Sequence, residues 1–254
     1  MFKQIWNNRE LIWETSVLEF GQKFRGTILG FIWSILEPLA QLLILFAVFS
    51  FLHSFDENFV IYLFSGLIMI HFFSRSTTQA MNSLSSKKSI LLSINIPKII
   101  FPISNILTNF WMFTIEIAIF FIFIILFGLT LDVTAFLLFV TFGLLVILTM
   151  SIGVILTVLH AYVKDIRTMW GIVTMSLIFI TPVFWYVDDM PPFLAKLFLL
   201  NPLALLMEMT HDVILFNSIP TIFDFMYVTC TSVGLLIIAY ILYKKSEKKI
   251  MELL

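Results

Sequence analysis

The sequence predicts an all-α integral membrane protein with six transmembrane helices, an N-terminal amphipathic interfacial helix, and an outer re-entrant pair of half-helices between spans five and six. Three observations carry that prediction. Hydrophobic residues make up 60% of the 254 and charged residues only 12%, against about 25% charged in an ordinary soluble domain. Six apolar stretches approach the roughly 20 helical residues that a bilayer core requires: 29 to 53, 59 to 80, 101 to 128, 134 to 160, 169 to 187 and 221 to 243. Thirteen of the fifteen Lys and Arg residues lie on one side of those stretches.

Residues 2 to 24 come first. Phe2, Trp6, Trp13, Val17, Phe20 and Phe24 recur at helical spacing, with Asn7, Glu10, Glu14 and Gln22 on the other side of the wheel. That pattern predicts a helix lying in the interface plane. The charges Arg9, Glu10, Glu14 and Glu19 interrupt any signal-peptide core, so the segment is expected to stay on the mature protein. The expected organisation is an interfacial helix over 1–26, a six-span membrane domain over 27–245, and a tail over 246–254.

Sidedness follows from the cations. Lys3, Arg9, Lys23 and Arg25, then Lys87, Lys88 and Lys98, then Lys164 and Arg167, then Lys244, Lys245, Lys248 and Lys249 share one face. The opposite loops carry Asp56, Glu57, Asp132, Asp188 and Asp189, with Lys196 their only cation. An even number of spans and the positive-inside rule place both termini in the cytoplasm, and the chain in the plasma membrane. Between spans five and six, 188 to 220 is too apolar for a free loop. It is divided by Pro191, Pro192 and the Asn201–Pro202 step into pieces too short to cross. Backbone at membrane depth must be hydrogen-bonded or wet, which predicts two short helices dipping in from the outer face.

Charges within the spans are the first functional candidates. Glu37 sits beside Pro38 in the first span, where an ionised group costs roughly 3 kcal/mol unless it meets protein or water. Arg75 lies in the polar run "SRSTTQ" of span two and has two possible partners, Glu37 and Glu116. Each of these residues is read either as a satisfied structural charge or as lining a hydrated path. Trp33, Trp111, Trp185 and Tyr186 are candidates to line a path for a carbohydrate chain; for Trp185 and Tyr186 the alternative is the interfacial aromatic belt. The short basic loops around Lys87, Lys88, Lys164, Asp165 and Arg167 either hold anionic headgroups or transmit force from a cytoplasmic motor.

Other chemistry is poorly represented. No G-x-x-x-x-G-K-[ST] phosphate loop is present, so the usual ATPase site is missing from this chain. His53, His71, His160 and His211 are scattered, and the lone Cys230 excludes an internal disulfide or a Cys-based zinc site. There is no basic excess, with a net charge of -1, and therefore no signature of a nucleic-acid binder. Two other classes remain open: a proton-coupled secondary transporter using Glu37, Arg75 and Glu116, and a membrane-embedded enzyme using Asp188 and Asp189.

The stretch "KFRGTILGFIWSILEP" (23 to 38) is similar to the opening signature of the membrane subunits of ABC exporters for O-antigen, capsule and wall teichoic acid. Lys23, Phe24, Arg25, Leu29, Gly30, Trp33 and Pro38 occupy the signature places. "IPKIIFP" (96 to 102), "KDIR" (164 to 167), "TPVFW" (181 to 185) and "NPLALLMEM" (201 to 209) extend the resemblance over nearly the whole chain. Two departures stand out: Lys164 replaces an Arg before Asp165, and His211–Asp212 stand where an Arg is common. The resemblance implies a half-transporter, permease subunit of an exporter of a lipid-linked polysaccharide or another amphipathic substrate. Two copies would form the pathway and two copies of a separate P-loop ATPase would dock below, carrying ATP and Mg; this chain would hold no cofactor. It further implies a gate helix containing Trp6, Trp13, Lys23 and Arg25, a coupling helix within 83 to 98, and an extracellular gate in the outer half-helices. Gly30 is expected to permit close helix packing.

Overall fold

The computed structural model describes residues 1–26, 28–49, 58–93, 96–129 and 133–253. The end of the first apolar stretch, with Asp56, Glu57 and Asp132, lies outside the described residues. Among those described there are eleven α-helices and no strand. They are α1 (Phe2–Asn7), α2 (Arg9–Lys23), α3 (Trp33–Phe49), α4 (Phe59–Ser86), α5 (Lys88–Ser93) and α6 (Ile100–Leu126), followed by α7 (Phe136–Tyr162), α8 (Ile166–Ile180), α9 (Pro192–Leu199), α10 (Pro202–Leu215) and α11 (Ile222–Leu253).

Four of these, α4, α6, α7 and α11, are long and apolar enough to cross a bilayer. Helices α3 and α8 are apolar but shorter, 17 and 15 residues, about 25 and 22 Å at 1.5 Å per residue. The sequence predicts span five as one element over 169 to 187, and here the structure differs. Helix α8 stops at Ile180 because Pro182 forces the preceding residue out of the helical region, and Thr181 is extended at φ -102°, ψ 151°. The chain then runs extended along α4, so close to it that a Cβ on Gly66 would sit 3.0 Å from the Val183 Cα.

Side-chain contacts fix the direction of each helix. Trp170 of α8 bonds Thr77 of α4 (3.1 Å), while Trp185 beyond it accepts from Tyr62 (2.5 Å), so α8 and α4 are antiparallel. Helix α11 closes near the start of α6, where the Ile99 amide donates to the Tyr243 hydroxyl (3.0 Å). Its C-terminal half also receives the N-terminus of the chain, through Gln4 and Glu247 (2.8 Å). One end of the bundle therefore gathers residues 4, 87, 99, 158 and 243, and is called the inner end. The other gathers Phe49, Tyr62, Phe123, Phe184 and Tyr186.

Helices α9 and α10 meet at a bend of 109°. Asn201 caps α10 by accepting from the Leu203 amide (3.1 Å), and Pro202 takes the first helical position, where its missing N–H costs nothing. The Leu200 carbonyl accepts from Tyr227 of α11 (2.7 Å). The pair thus leaves and rejoins the outer end, with α10 buried against α4, α7 and α11.

The predicted N-terminal helix is two helices. Asn8 interrupts it at φ -113°, ψ 23°, with its own side chain bonding the Gln4 carbonyl (2.8 Å), the local competition that makes Asn a helix breaker. Gly30 also differs from expectation. No atom lies within 4 Å of a Cβ built there, and its φ is +49°. It supplies a left-handed turn before α3, not a packing gap.

Candidate functional site

The inner half of the bundle is where the sequence-predicted charges meet. Helix α6 spans 27 residues, about 40 Å against a hydrocarbon core of about 30 Å. Roughly 10 Å of it, the stretch from Ile100 to about Thr108, exceeds what a crossing needs. Helix α2 packs there. The Thr108 hydroxyl donates to the Ser16 carbonyl and to Glu19 (both 3.2 Å), and the Trp111 indole donates to the Ser16 hydroxyl (3.4 Å). Lys23 reaches the Met112 sulfur (3.7 Å). Ser16, Glu19 and Lys23 of α2 thus all reach the stretch 108 to 112 of α6.

This contact uses the stripe beside the aromatic one. Ile12 and Ser16 are buried, whereas Trp6, Trp13 and Val17 remain exposed. Trp6 carries the Arg9 guanidinium over its ring at 5.2 Å, and Trp13 sets its edge against Trp111 at 4.9 Å. A small Ser16 permits close approach where a Trp would not.

Arg75 resolves the partner question. Its Nη2 donates to Glu116 Oε1 at 2.5 Å, with the Glu116 carboxylate fully buried and Arg75 19% exposed. Its Nε is satisfied by the His71 carbonyl (3.3 Å). Two charges removed from water are tolerated only as such a hydrogen-bonded pair. Glu116 Oε2 has no hydrogen-bond partner among the described residues. Glu116 stands one turn beyond Met112, and Met112 one turn beyond Thr108, so the three form one stripe on α6, with Thr108 and Met112 against α2 and Glu116 against Arg75 of α4.

Lys23 belongs to this cluster electrically. Burial pushes its ammonium below the usual lysine value and Arg75 pushes the same way, opposed by the attraction of Glu37 and Glu116. Lys23 and Arg25 are both exposed, and of the two it is Lys23 that lies against the Met112 sulfur. Glu37 is exposed on α3 and lines a groove of about 550 Å³ with Trp33, Leu36, Ala40 and Gln41. The polar run of α4 makes contacts between helices: Gln79 accepts from Asn109 (2.9 Å) and Thr77 from Trp170 (3.1 Å).

At the inner end, Lys87 forms an ion pair with Glu19 of α2 and lies over the Phe101 ring at 5.3 Å. Burial lowers its pKa as well. The expected small helix of this loop is α5. Lys88, Lys164, Asp165 and Arg167 are exposed.

Trp185 and Tyr186 are not part of this assembly. They sit at the outer end, where Tyr186 packs on Tyr62 (4.5 Å) and Trp185 on Phe198 (5.6 Å). Sequence reasoning missed the Glu19–Lys87 link, for which the 12–16–19–23 stripe beside the aromatic one was the signal. It also missed His211, buried and stacked on Tyr62 at 3.7 Å. No group of three or more His, Cys, Asp or Glu among the described residues could hold a metal ion.

An α-helical membrane domain with a polar, charged inner half and a re-entrant outer pair is the class that this fold and site define. The chain belongs to the ABC-2 type transporter family, whose profile matches residues 10–215. It is similar to the O-antigen export system permease protein RfbA of Klebsiella pneumoniae, 22% identical over 89% of each chain. The RfbA permease of Myxococcus xanthus is 23% identical over 99% of this chain and 98% of its own. The polysialic acid transport protein KpsM of Escherichia coli is 26% identical over 89% and 88%.

Proposed function

We propose that this chain is the permease subunit of an ABC exporter that moves a lipid-linked polysaccharide across the plasma membrane. The observation that carries the reading is the match along nearly the full length of O-antigen and polysialic acid transport proteins, in a chain with no phosphate loop of its own. Energy comes from a separate ATPase, two copies of which dock on a dimer of this chain. Nucleotide and Mg²⁺ belong to that partner.

In this reading 1–26 is an interfacial gate, 27–245 makes six crossings, and 246–254 is a cytoplasmic tail. Helix α3 forms the first crossing, and α8 with the extended 181–186 forms the fifth. Both termini and the loops bearing Lys87, Lys88, Lys164, Asp165 and Arg167 face the cytoplasm, and the ATPase docks on these loops. Force on the 87–98 loop reaches α2 through Lys87 and Glu19. As α2 shifts by one turn along the α6 stripe, Lys23 leaves Met112 for Glu116 and loosens the hold of Glu116 on Arg75. Trp33, Glu37 and the freed Arg75 then border a wet conduit, and polar walls there are what a hydrated glycan requires.

The test is deletion and complementation in the native cell, followed by affinity purification of the restored chain. Loss of surface polysaccharide, its return with the intact gene, and co-purification of a P-loop ATPase are the expected results. Normal surface polysaccharide in the deletion strain, or reproducible purification without any ATPase, would overturn the reading.

A further inference from the structure

An apolar groove of about 390 Å³ lies between α2 and α6, lined by Trp13, Val17, Phe20, Trp111, Thr114 and Ile115. A second hollow of about 330 Å³, lined by Arg9, Glu10, Trp13 and Glu14, adjoins it through the shared Trp13. The two differ in depth. The groove reaches Ile115, seven residues or about 10 Å beyond Thr108 along α6, whereas the charged hollow is formed by α2 alone. A soluble partner does not reach the groove, and the aqueous glycan has no business in it. A lipid chain does fit, because apolar surface at acyl depth is filled by acyl chains.

The charges select the lipid. Arg9 is held in place by its stacking over Trp6 and offers one cation, while Glu10 and Glu14 offer two anions. An anionic headgroup would be attracted by one and repelled by two. A zwitterion satisfies all three, with its phosphate toward Arg9 and its ammonium toward the carboxylates. We propose that this composite groove is a binding site for phosphatidylethanolamine, one acyl chain lying between Trp13 and Ile115 and the headgroup on Arg9, Glu10 and Glu14. The bound lipid holds α2 in the membrane plane against α6. The inference is independent of what the protein transports.

The experiment uses the full-length chain with its ATPase partner in phosphatidylglycerol nanodiscs containing phosphatidylethanolamine with a photoactivatable acyl chain. Cross-links are expected to concentrate on residues 13–20 and 111–115, about tenfold over the exposed faces of α8 and α11, which report bulk lipid. Excess unlabelled phosphatidylethanolamine removes them and excess phosphatidylglycerol does not. Glu10→Gln with Glu14→Gln abolishes that preference without touching the groove, and Val17→Trp fills the groove and abolishes the cross-links. Uniform labelling of all exposed faces overturns the proposal, as does equal competition by phosphatidylglycerol. Stronger competition by a polyprenyl phosphate assigns the groove to a carrier lipid instead. Absence of any label there assigns it to a second copy of the chain, and either result also overturns the proposal.

Discussion

At the inner end, helices are joined by charge: Arg75 to Glu116, Lys87 to Glu19, and Lys23 poised beside both Met112 and Glu116. At the outer end they are joined by rings and close backbone contact. Tyr62 packs against His211 and Tyr186, Phe49 stacks on Phe184 at 4.6 Å, and Gly66 admits Val183. Ionic partners can be exchanged one for another without opening a cavity, whereas packed rings lose dispersion contacts as soon as they separate. The inner end is therefore suited to rearrangement in each transport cycle, and the outer end to movement as a block.

That contrast is most easily broken at Glu116. Glu116→Ala leaves the Arg75 charge buried and unpaired, at an expected cost of about 3 to 5 kcal/mol, read as a large drop in thermal unfolding temperature in detergent. Arg75→Met combined with Glu116→Leu should recover most of that stability while export stays lost, which separates the pair's structural role from its use in transport. Next is Gly66→Ala, which drives a methyl into the Val183 backbone and should cost about 1 to 3 kcal/mol. Tyr62→Phe, which strips the outer end of its hydroxyl bond to Trp185, should cost about 1 kcal/mol. Smallest in stability is Glu19→Gln, about 0.2 to 1 kcal/mol for a partly exposed pair, yet it should slow export more than Tyr62→Phe does. Glu37→Gln should assemble normally and reduce surface glycan; unchanged glycan would remove Glu37 from the pathway.

Much of this architecture was legible in the residues. Apolar stretches gave the long helices, and Pro191, Pro192 and Asn201–Pro202 gave the bent outer pair. What was not legible depended on choosing between equivalent partners. Glu37 and Glu116 were equally plausible for Arg75 until the packing of α4 on α6 brought Glu116 within reach. The aromatic stripe of α2 was legible as an amphipathic face, but the Ile12–Ser16 stripe that packs on α6 was not. Gly30 was read as a packing residue and is a turn residue, a distinction carried by φ and not by composition. The end of α8 before Pro182 could have been read from the proline alone.

The central claim is that the charged end of the bundle faces the cytoplasm, where a motor can act on it. In a Cys230→Ser background, single cysteines placed at Lys88 and at Asp188 can be probed in intact cells with a membrane-impermeant maleimide. The account predicts that the cysteine at 188 reacts from outside and the one at 88 reacts only after permeabilisation. Labelling of position 88 in intact cells, with 188 protected, would invert the bundle and contradict the assignment.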